Sequence, residues 1–377
     1  MAKVLAAVIS EPHAAVEVRE VAEPELEEGS ALLAVELSEV CGTDVYLQQG
    51  RLAGVPYPLV PGHVSVGRLE KIRGRLLDVE GRLFKEGDRV TFLDVHRTCH
   101  ACWHCLVAKA STRCPARKVY GITYGLADGL SGGWAEKLYL KPGTLCIPLD
   151  EADPETFMAG GCSLPTALHA VERADVQLGD TVLVLGSGPV GLSSVILSRM
   201  RGALRVLCVG APANRLEAAR AVGAFDVLNI ETYDEGERLG WVLSHTGGRG
   251  ADVTIEATGA PAAVTQAMRF TRDAGRVVVV GQYTDHGETG FNPHLDLNRK
   301  HLDLRACWGS DYSHFHRAAR LMSDPERARP WTHLRLDRYP LSRANEALAA
   351  VADGSAIKAL IDPHSGVLDN QIPAARI

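Results

Sequence analysis

The 377-residue sequence predicts an α/β protein that combines a doubly wound parallel-sheet domain with an irregular, mostly β domain. Short apolar strands alternate with helices over residues 163–305, which is typical of β–α units stacked in one parallel sheet. Residues 1–162 instead carry β-branched runs interrupted by Pro and Gly. Four closely spaced cysteines in that first part indicate a metal site.

The composition excludes several classes of protein. Apolar residues make up 46% and charged residues 23%, as in ordinary globular enzymes. A net charge of −6 argues against nucleic acid as a partner. We find neither an apolar run of the roughly 18 residues that span a membrane nor a signal-peptide core. We therefore expect a cytoplasmic protein without a membrane partner, in which the nine cysteines stay reduced.

The first and last parts of the chain contain the elements of the mostly β domain. Strands are predicted at residues 4–9, 31–35 and 89–93 from their apolar, β-branched composition. Residues 306–377 predict helices at 316–322 and 343–353, followed by a strand at 357–361.

The central part begins with the strand at 181–185, which ends at Gly186. A helix follows over 189–200, with Pro189 in its first turn and Gly202 beyond its end. Further strands are predicted at 205–209, 226–230, 252–257 and 276–280, with helices at 214–222 and between the last two strands. This alternation predicts the parallel sheet.

A dinucleotide fingerprint joins the first of these strands to the helix after it. Gly186, Gly188 and Gly191 form a G-x-G-x-x-G, with Pro189 and Val190 between the last two glycines. In this context the first Gly allows a tight turn, the second lets backbone approach a pyrophosphate, and the third lets helix pack on strand. The alternative is a glycine-rich turn without a ligand.

The choice of dinucleotide depends on the end of the next strand. An acidic residue there would bind the ribose 2′-hydroxyl of NAD, but the strand ends at Gly210 and no acid follows at once. Arg215 could lie near a 2′-phosphate, which favours NADP slightly over NAD. Alternatively, Arg215 is an ordinary solvated helix residue.

The cysteine cluster has the spacing of a closed zinc site. Cys99, Cys102, Cys105 and Cys114 can converge as four thiolates on one tetrahedral ion, which leaves no position for substrate. The interleaved His96, His100 and His104 are alternative ligands. Free thiols and a nucleic-acid-binding zinc ribbon are further alternatives, and the acidic chain argues against the ribbon.

Three more motifs carry single candidate ligands: Cys41-Gly-Thr43-Asp44, Gly62-His63 and Gly161-Cys162. Alone, each is also compatible with an ordinary core residue. Together with the cysteine cluster, the fingerprint and the segments at 87–90, 132–136 and 339–358, they resemble the zinc-dependent medium-chain alcohol dehydrogenases over the whole chain.

The resemblance implies a GroES-like catalytic domain formed by residues 1–162 and 306–377, with a structural zinc lobe at 96–116. It also implies a Rossmann NAD(P)-binding domain at 163–305. By match to the family, Cys41, His63 and Cys162 would bind a catalytic zinc, and the four clustered cysteines would bind a second, structural zinc.

The same match assigns further roles. Thr43 would hydrogen-bond the substrate alcohol, and Asp44 would orient the zinc histidine. Thr166 would lie beside the nicotinamide, and Lys358 would contact the cofactor pyrophosphate. Tyr46 stands where many members have the histidine that ends a proton relay, and a phenol is a weaker relay at neutral pH.

Val64 is a second departure, because members usually carry Glu directly after the zinc histidine. We expect the loss of this charge to make a bound alcohol more acidic and exchange at the metal slower. The departures at Val64 and Tyr46 also keep open a catalytically altered protein that binds NAD(P)H without alcohol turnover. A zinc-free enone or quinone reductase would lack the Cys, His and Cys ligands.

The predicted function is reversible hydride transfer between an alcohol and NAD(P)⁺, which gives an aldehyde or ketone. A polar substrate is favoured by the candidate cleft residues Tyr46, Tyr57, Asp94, His96, Trp134 and 310–314. Alternatively, Asp94 and His96 are only exposed loop residues. The resemblance also implies a homodimer or homotetramer, because family members pair through the edge of the nucleotide-domain sheet; the candidate edge strand here is the one around 304–308.

Overall fold

A computed structural model describes residues 2–150 and 152–365. The chain divides into two compact units, one comprising residues up to Gly161 and from Arg335 onward, the other Cys162–Leu334. Across the described ranges, every helix is too short or too polar to cross a membrane.

The first segment of unit one is mostly β. Its strands are β1 (Lys3–Val8), β2 (Glu17–Ala22), β3 (Ser30–Val40), β4 (Ser65–Arg73), β5 (Arg89–Phe92), β6 (Lys137–Leu140) and β7 (Cys146–Pro148). Its helices are short: α1 (Gly42–Gln48), α2 (Trp103–Leu106) and α3 (Pro154–Gly160). The predicted strands at 4–9, 31–35 and 89–93 are therefore present, and β3 continues five residues further, to the residue before Cys41.

Unit two contains six parallel strands: β8 (Thr181–Leu185), β9 (Arg205–Gly210), β10 (Asp226–Asn229), β11 (Ala251–Glu256), β12 (Thr271–Val279) and β13 (Asp303–Ala306). Its helices are α4 (Ser163–Ala174), α5 (Pro189–Met200), α6 (Ala213–Ala221), α7 (Glu235–His245), α8 (Pro261–Phe270), α9 (Tyr312–Met322) and α10 (Pro325–Ala328). The strand order β10-β9-β8-β11-β12-β13 is that of a doubly wound sheet, as predicted, with β10 and β13 at its edges.

The closing segment returns to unit one with β14 (Leu336–Tyr339), α11 (Ala344–Ala352) and β15 (Lys358–Ile361). β15 pairs with β3, and the seven-stranded sheet has the order β14-β15-β3-β4-β5-β7, with β6 also on β3. Strands from the first segment and from residues 336–361 therefore share one sheet, while β1 and β2 pair separately. The core of unit one includes Leu33, Phe92 and Tyr120.

Unit two extends to Leu334, whereas the sequence predicted a boundary at 305. The reason is that α9 packs on α4: the rings of His169 and His314 lie 4.4 Å apart, and His169 Nδ1 is 2.7 Å from the carbonyl oxygen of Gly309. α7 was not predicted, although Asp234 caps its first turn.

Candidate metal and dinucleotide sites

Cys41 is the N-terminal cap of α1. Its Sγ accepts the backbone N–H of Thr43 at 3.3 Å, and its own N–H donates to Asp44 Oδ2 at 2.9 Å. A thiolate is stabilised by such N–H donors, because they favour its charged form. The turn after β3 therefore presents Cys41 in a form suited to binding metal.

His63 lies in the loop before β4 and is buried. Its Nε2 is 3.9 Å from Cys41 Sγ, and its Nδ1 faces Asp44 Oδ1 at 4.0 Å, too long for a hydrogen bond. Gly62 positions the loop at φ +91°, and any Cβ there would lie 2.5 Å from Trp134 Cδ1. The tight packing fixes the imidazole between sulfur and carboxylate.

Cys162 is bonded to Gly161, the last residue of this segment of unit one, and caps α4. One donor atom from each of Cys41, His63 and Cys162 lies within 4.8 Å of the other two. Two thiolates and one imidazole are a known zinc donor set, and three protein ligands leave one position for substrate. His63 Nδ1 is buried without a hydrogen-bond partner, as expected of a ring whose orientation metal binding would complete. These residues fit zinc, and we call them the Cys41–His63–Cys162 site.

The charges at this site favour a cation. Burial raises the pKa of the Asp44 carboxyl well above its usual value, and the Cys41 thiolate adds to this. Burial by itself lowers the pKa of His63, but Cys41, Asp44 and Asp94 outweigh it and raise that pKa to about 10. The surrounding groups thus stabilise positive charge at this point.

The four-cysteine lobe, defined by Cys99, Cys102, Cys105 and Cys114, also has converging sulfurs. All four lie within 4.8 Å of one another, and two Sγ–Sγ distances, Cys102–Cys105 and Cys99–Cys114, are 3.6 Å. Four sulfurs at about 2.3 Å from one zinc would be about 3.8 Å apart. Backbone N–H groups, that of Ala101 first, lower the pKa of Cys99 to about 6. This set fits a structural zinc.

The three histidines near the lobe lie outside this cluster. His96 uses both ring nitrogens elsewhere, with Nδ1 2.5 Å from Tyr124 Oη and Nε2 3.1 Å from the Pro142 carbonyl oxygen. His100 Nε2 lies 3.3 Å from Thr98 Oγ1, and His104 packs edge-on against Trp103. The geometry therefore favours the four thiolates as the ligand set.

Residues predicted to act beside the metal occupy different positions. Thr43 is partly buried, and among the described residues its hydroxyl has no hydrogen-bond partner. Tyr46 lies under the guanidinium of Arg51, 5.2 Å from the ring centre. Thr166 lies one turn after Cys162 on α4, and its Oγ1 donates to the Cys162 carbonyl oxygen at 3.2 Å.

The glycine fingerprint has the geometry that the sequence indicated. Gly186 adopts φ +107°, and a Cβ at Gly191 would lie 1.9 Å from the Gly186 carbonyl oxygen, so helix and turn are in close contact. Gly188 caps α5, with Pro189 and Val190 in its first turn, and nothing lies within 4 Å of a Cβ placed there. The turn leaves open space at the position where a pyrophosphate would approach.

The end of β9 explains the missing acid. A Cβ on Gly210 would lie 2.4 Å from Ser187 Oγ and 2.8 Å from its backbone nitrogen, so a larger side chain has no room without movement. Arg215 lies in the first turn of α6 and is half-buried.

Lys358, predicted at the cofactor, is buried at the start of β15. It forms an ion pair with Glu39 of β3 and donates to the Gly160 carbonyl oxygen at 3.3 Å. Glu39 was missed by the sequence analysis. The available signal was an acid close to the end of a long strand whose residues are mostly buried.

The predicted substrate role of three residues is wrong, because their polar atoms form hydrogen bonds within unit one. Trp134 is 0% exposed and its indole N–H donates to the Glu39 carbonyl oxygen at 2.9 Å. Tyr57 donates to the Leu47 carbonyl oxygen at 2.5 Å, and both His96 nitrogens are already engaged. Asp94 stays a candidate, since its charge acts on His63.

Both units are similar to domains of known dehydrogenases. Residues 27–151 match the alcohol dehydrogenase GroES-like domain, and residues 189–324 match the zinc-binding dehydrogenase family. The chain is 32% identical to 5-exo-hydroxycamphor dehydrogenase of Pseudomonas putida over 337 residues, 89% of this chain and 92% of that protein. It is 29% identical to erythritol/L-threitol dehydrogenase of Mycolicibacterium smegmatis over 351 residues, 89% and 91% of the two chains.

Among solved structures, an alcohol dehydrogenase from Thermotoga maritima is similar with a TM-score of 0.90 and 30% identity, covering 96% of this chain and 100% of that one. The two domain matches, the relatives and the solved structure agree. The chain belongs to the zinc-dependent medium-chain alcohol dehydrogenases and is an oxidoreductase.

Proposed function

We propose that this protein is a zinc-dependent dehydrogenase that transfers a hydride reversibly between a polar alcohol and NADP⁺, giving an aldehyde or ketone. The observation that carries the proposal is the convergence of Cys41, His63 and Cys162 within 4.8 Å, with Asp44 behind the imidazole. We propose zinc at this site and a second, structural zinc in the four-cysteine lobe.

A zinc ion at the site would polarise the oxygen of the substrate as a Lewis acid. Thr43 follows Cys41 by two residues, and its free hydroxyl accepts the proton that the alcohol loses while it gives up its own proton to the next group of the relay. Asp44 holds the Cys41 turn and faces His63, so it sets the orientation of two ligands. Tyr46, three residues after Thr43, is the candidate for passing the proton outward.

For the cofactor, we propose that the pyrophosphate lies at the open Gly188 turn, with Thr166 beside the nicotinamide. The lack of room for an acid at Gly210 and the position of Arg215 support NADP over NAD. Arg215→Ala should weaken the binding of NADPH more than the binding of NADH. Equal weakening of both would contradict a role at the 2′-phosphate.

The polar substrate has two supports. The Mycolicibacterium smegmatis relative acts on polyols by name, and the charge of Asp94 acts at the metal site. The Pseudomonas putida relative is named for hydroxycamphor, so cyclic secondary alcohols belong in the same screen.

We also propose a cytoplasmic homodimer or homotetramer, with β13 as the contact strand. β13 is an edge of the parallel sheet, and its Leu304 is 41% exposed.

The test measures zinc in the chelator-washed protein and oxidation of polyols, cyclic alcohols and simple alkanols with either cofactor. We expect two zinc ions per chain and faster reaction with polyols and NADP⁺. Thr43→Ala should abolish most turnover, while Thr43→Ser, the matched control, keeps the hydroxyl and most of the activity. A zinc-loaded protein that binds NADPH but turns over no alcohol would support the catalytically altered alternative.

A further inference from the structure

The buried pair of Glu39 and Lys358 has no part in the chemistry described above. Both side chains are 1% exposed, and the ammonium directly contacts Glu39 Oε1. In the His63–Asp44, Arg89–Glu36 and Arg276–Asp180 pairs, by comparison, at least one partner is more exposed than this. Burying two charges is costly unless they are paired with good geometry, so the pair must be held in a defined arrangement.

The backbone of Glu39 is fixed on both sides. Its N–H donates to the Val64 carbonyl oxygen at 3.0 Å, and its carbonyl oxygen accepts the Trp134 indole N–H at 2.9 Å. Glu39 is paired in register with Leu360 of β15, two residues after Lys358. The carboxylate therefore projects from a rigid part of the sheet that also leads into Cys41.

The pair lies directly against the chain that precedes Cys162. Lys358 Nζ donates to the Gly160 carbonyl oxygen at 3.3 Å. A Cβ on Gly161 would lie 2.2 Å from Glu39 Oε2 and 2.7 Å from Lys358 Nζ. Gly161 has φ +48° and ends α3, so the backbone changes direction next to the Glu39 and Lys358 side chains. The residue that follows this turn is the candidate metal ligand Cys162.

We propose that Glu39 and Lys358 are positioning residues that hold the Gly160–Gly161 turn and thereby direct the Cys162 thiolate toward Cys41 and His63. Glu39 orients the ammonium, and the ammonium fixes the Gly160 carbonyl. In this role Lys358 binds the Gly160 carbonyl oxygen, which belongs to unit one, and not the cofactor. The proposal rests on the proposed zinc site and deepens it.

The test compares Glu39→Gln and Lys358→Met with Glu36→Gln. Glu36 is the matched control, because it lies on the same strand and pairs with Arg89 and Arg68 without touching this turn. The readouts are zinc per chain, the rate of zinc release to a colorimetric chelator, the spectrum of the Co²⁺-substituted protein, and the dissociation constant of NADPH.

We expect Glu39→Gln and Lys358→Met to weaken zinc at the Cys41–His63–Cys162 site by about tenfold or more, the usual effect of removing a group that orients a ligand. Both should shift the Co²⁺–thiolate bands, and the four-cysteine lobe should keep its metal. The double variant should be no worse than the weaker single one, because the two residues act as one unit. Glu36→Gln should behave like the wild type.

The proposal is overturned if Glu39→Gln keeps wild-type zinc release and spectrum while Lys358→Met mainly raises the dissociation constant of NADPH. That result would make Lys358 a cofactor ligand. If the wild type itself holds zinc only in the lobe, the proposed function fails separately. The alkylation rate of Cys162 in the chelated variants then decides the positioning role: an unchanged rate in Glu39→Gln overturns it, and a changed rate supports it.

Discussion

The Asp44 carboxylate faces Nδ1 of His63 at 4.0 Å with one oxygen and accepts the N–H of Cys41 at 2.9 Å with the other. One buried side chain thus contacts the segments that carry two of the three candidate zinc ligands. It is fully buried, so its orientation is set by these protein partners.

Asp44→Asn should therefore weaken zinc at the Cys41–His63–Cys162 site by about 10- to 100-fold. The amide keeps the shape of the side chain but loses the charge that orients the imidazole. Competition with a chelator of known affinity measures the change. The lobe zinc is the internal control, and unchanged affinity at the first site would show that Asp44 serves only as a helix cap.

In the four-cysteine lobe, Cys105→Ser and His104→Ala are a matched pair of neighbours. Cys105→Ser should lose one zinc and about 4 kcal/mol or more of stability, because a structural metal contributes directly to folding. His104→Ala should keep both zinc ions, since its ring lies outside the sulfur cluster. Metal analysis and thermal melts check this. Loss of one zinc from His104→Ala would contradict this and show that His104 is a zinc ligand.

Thiol accessibility should separate the nine cysteines into two groups. Six belong to the two metal sites, and all of them except Cys114 are partly exposed; the others, Cys146, Cys208 and Cys307, are buried. Titration with a disulfide reagent at pH 8 should count six thiols after chelation, because removal of a structural metal opens the lobe around Cys114, and nine after denaturation. A count of nine before denaturation would contradict the tight packing around these three.

The same thiols predict a loss of stability in alkali. Burial raises the pKa of Cys208 to about 12 from its ordinary 9.0. Between these values the unfolded chain has lost a proton that the folded chain retains, so stability falls as pH rises above about 9. Between about pH 8 and pH 10, the free energy of unfolding of Cys208→Ala should fall by about 1 kcal/mol less than that of the wild type. Urea titrations in the presence of reductant measure this difference. Identical losses would contradict this.

The fingerprint glycines should differ in what they contribute. Gly191→Ala places a methyl group 1.9 Å from the Gly186 carbonyl oxygen and should cost about 1–3 kcal/mol of stability. Gly188→Ala has open space and should cost less than about 1 kcal/mol. Its methyl group should raise the dinucleotide dissociation constant by about tenfold, or 1.4 kcal/mol. Unfolding and fluorescence titrations distinguish the two, and reversed effects would contradict the assignment.

Much of the α/β unit could be predicted because its signals are local. β8 and α5 have the bounds that their apolar runs and capping residues indicate, and the glycine turn lies between them. The close spacing of the lobe cysteines also makes their convergence a local property. α7 was missed although its capping residues were present, because Gly236 and Gly240 lie inside it and glycine disfavours a helix interior.

The alternation of strands and helices, the fingerprint turn and the family of the donor residues follow from the order of the residues. Which distant polar groups meet depends on how the chain folds back on itself. Glu39 and Lys358 are 319 residues apart in the chain and become neighbours because β15 closes the sheet against β3. In the same way, Trp134 and His96 form hydrogen bonds with residues far from them in the chain, which the local sequence does not predict. Periodicity and capping depend on residues a few positions apart, whereas the pairing of buried charges depends on which distant strands become neighbours in the folded chain.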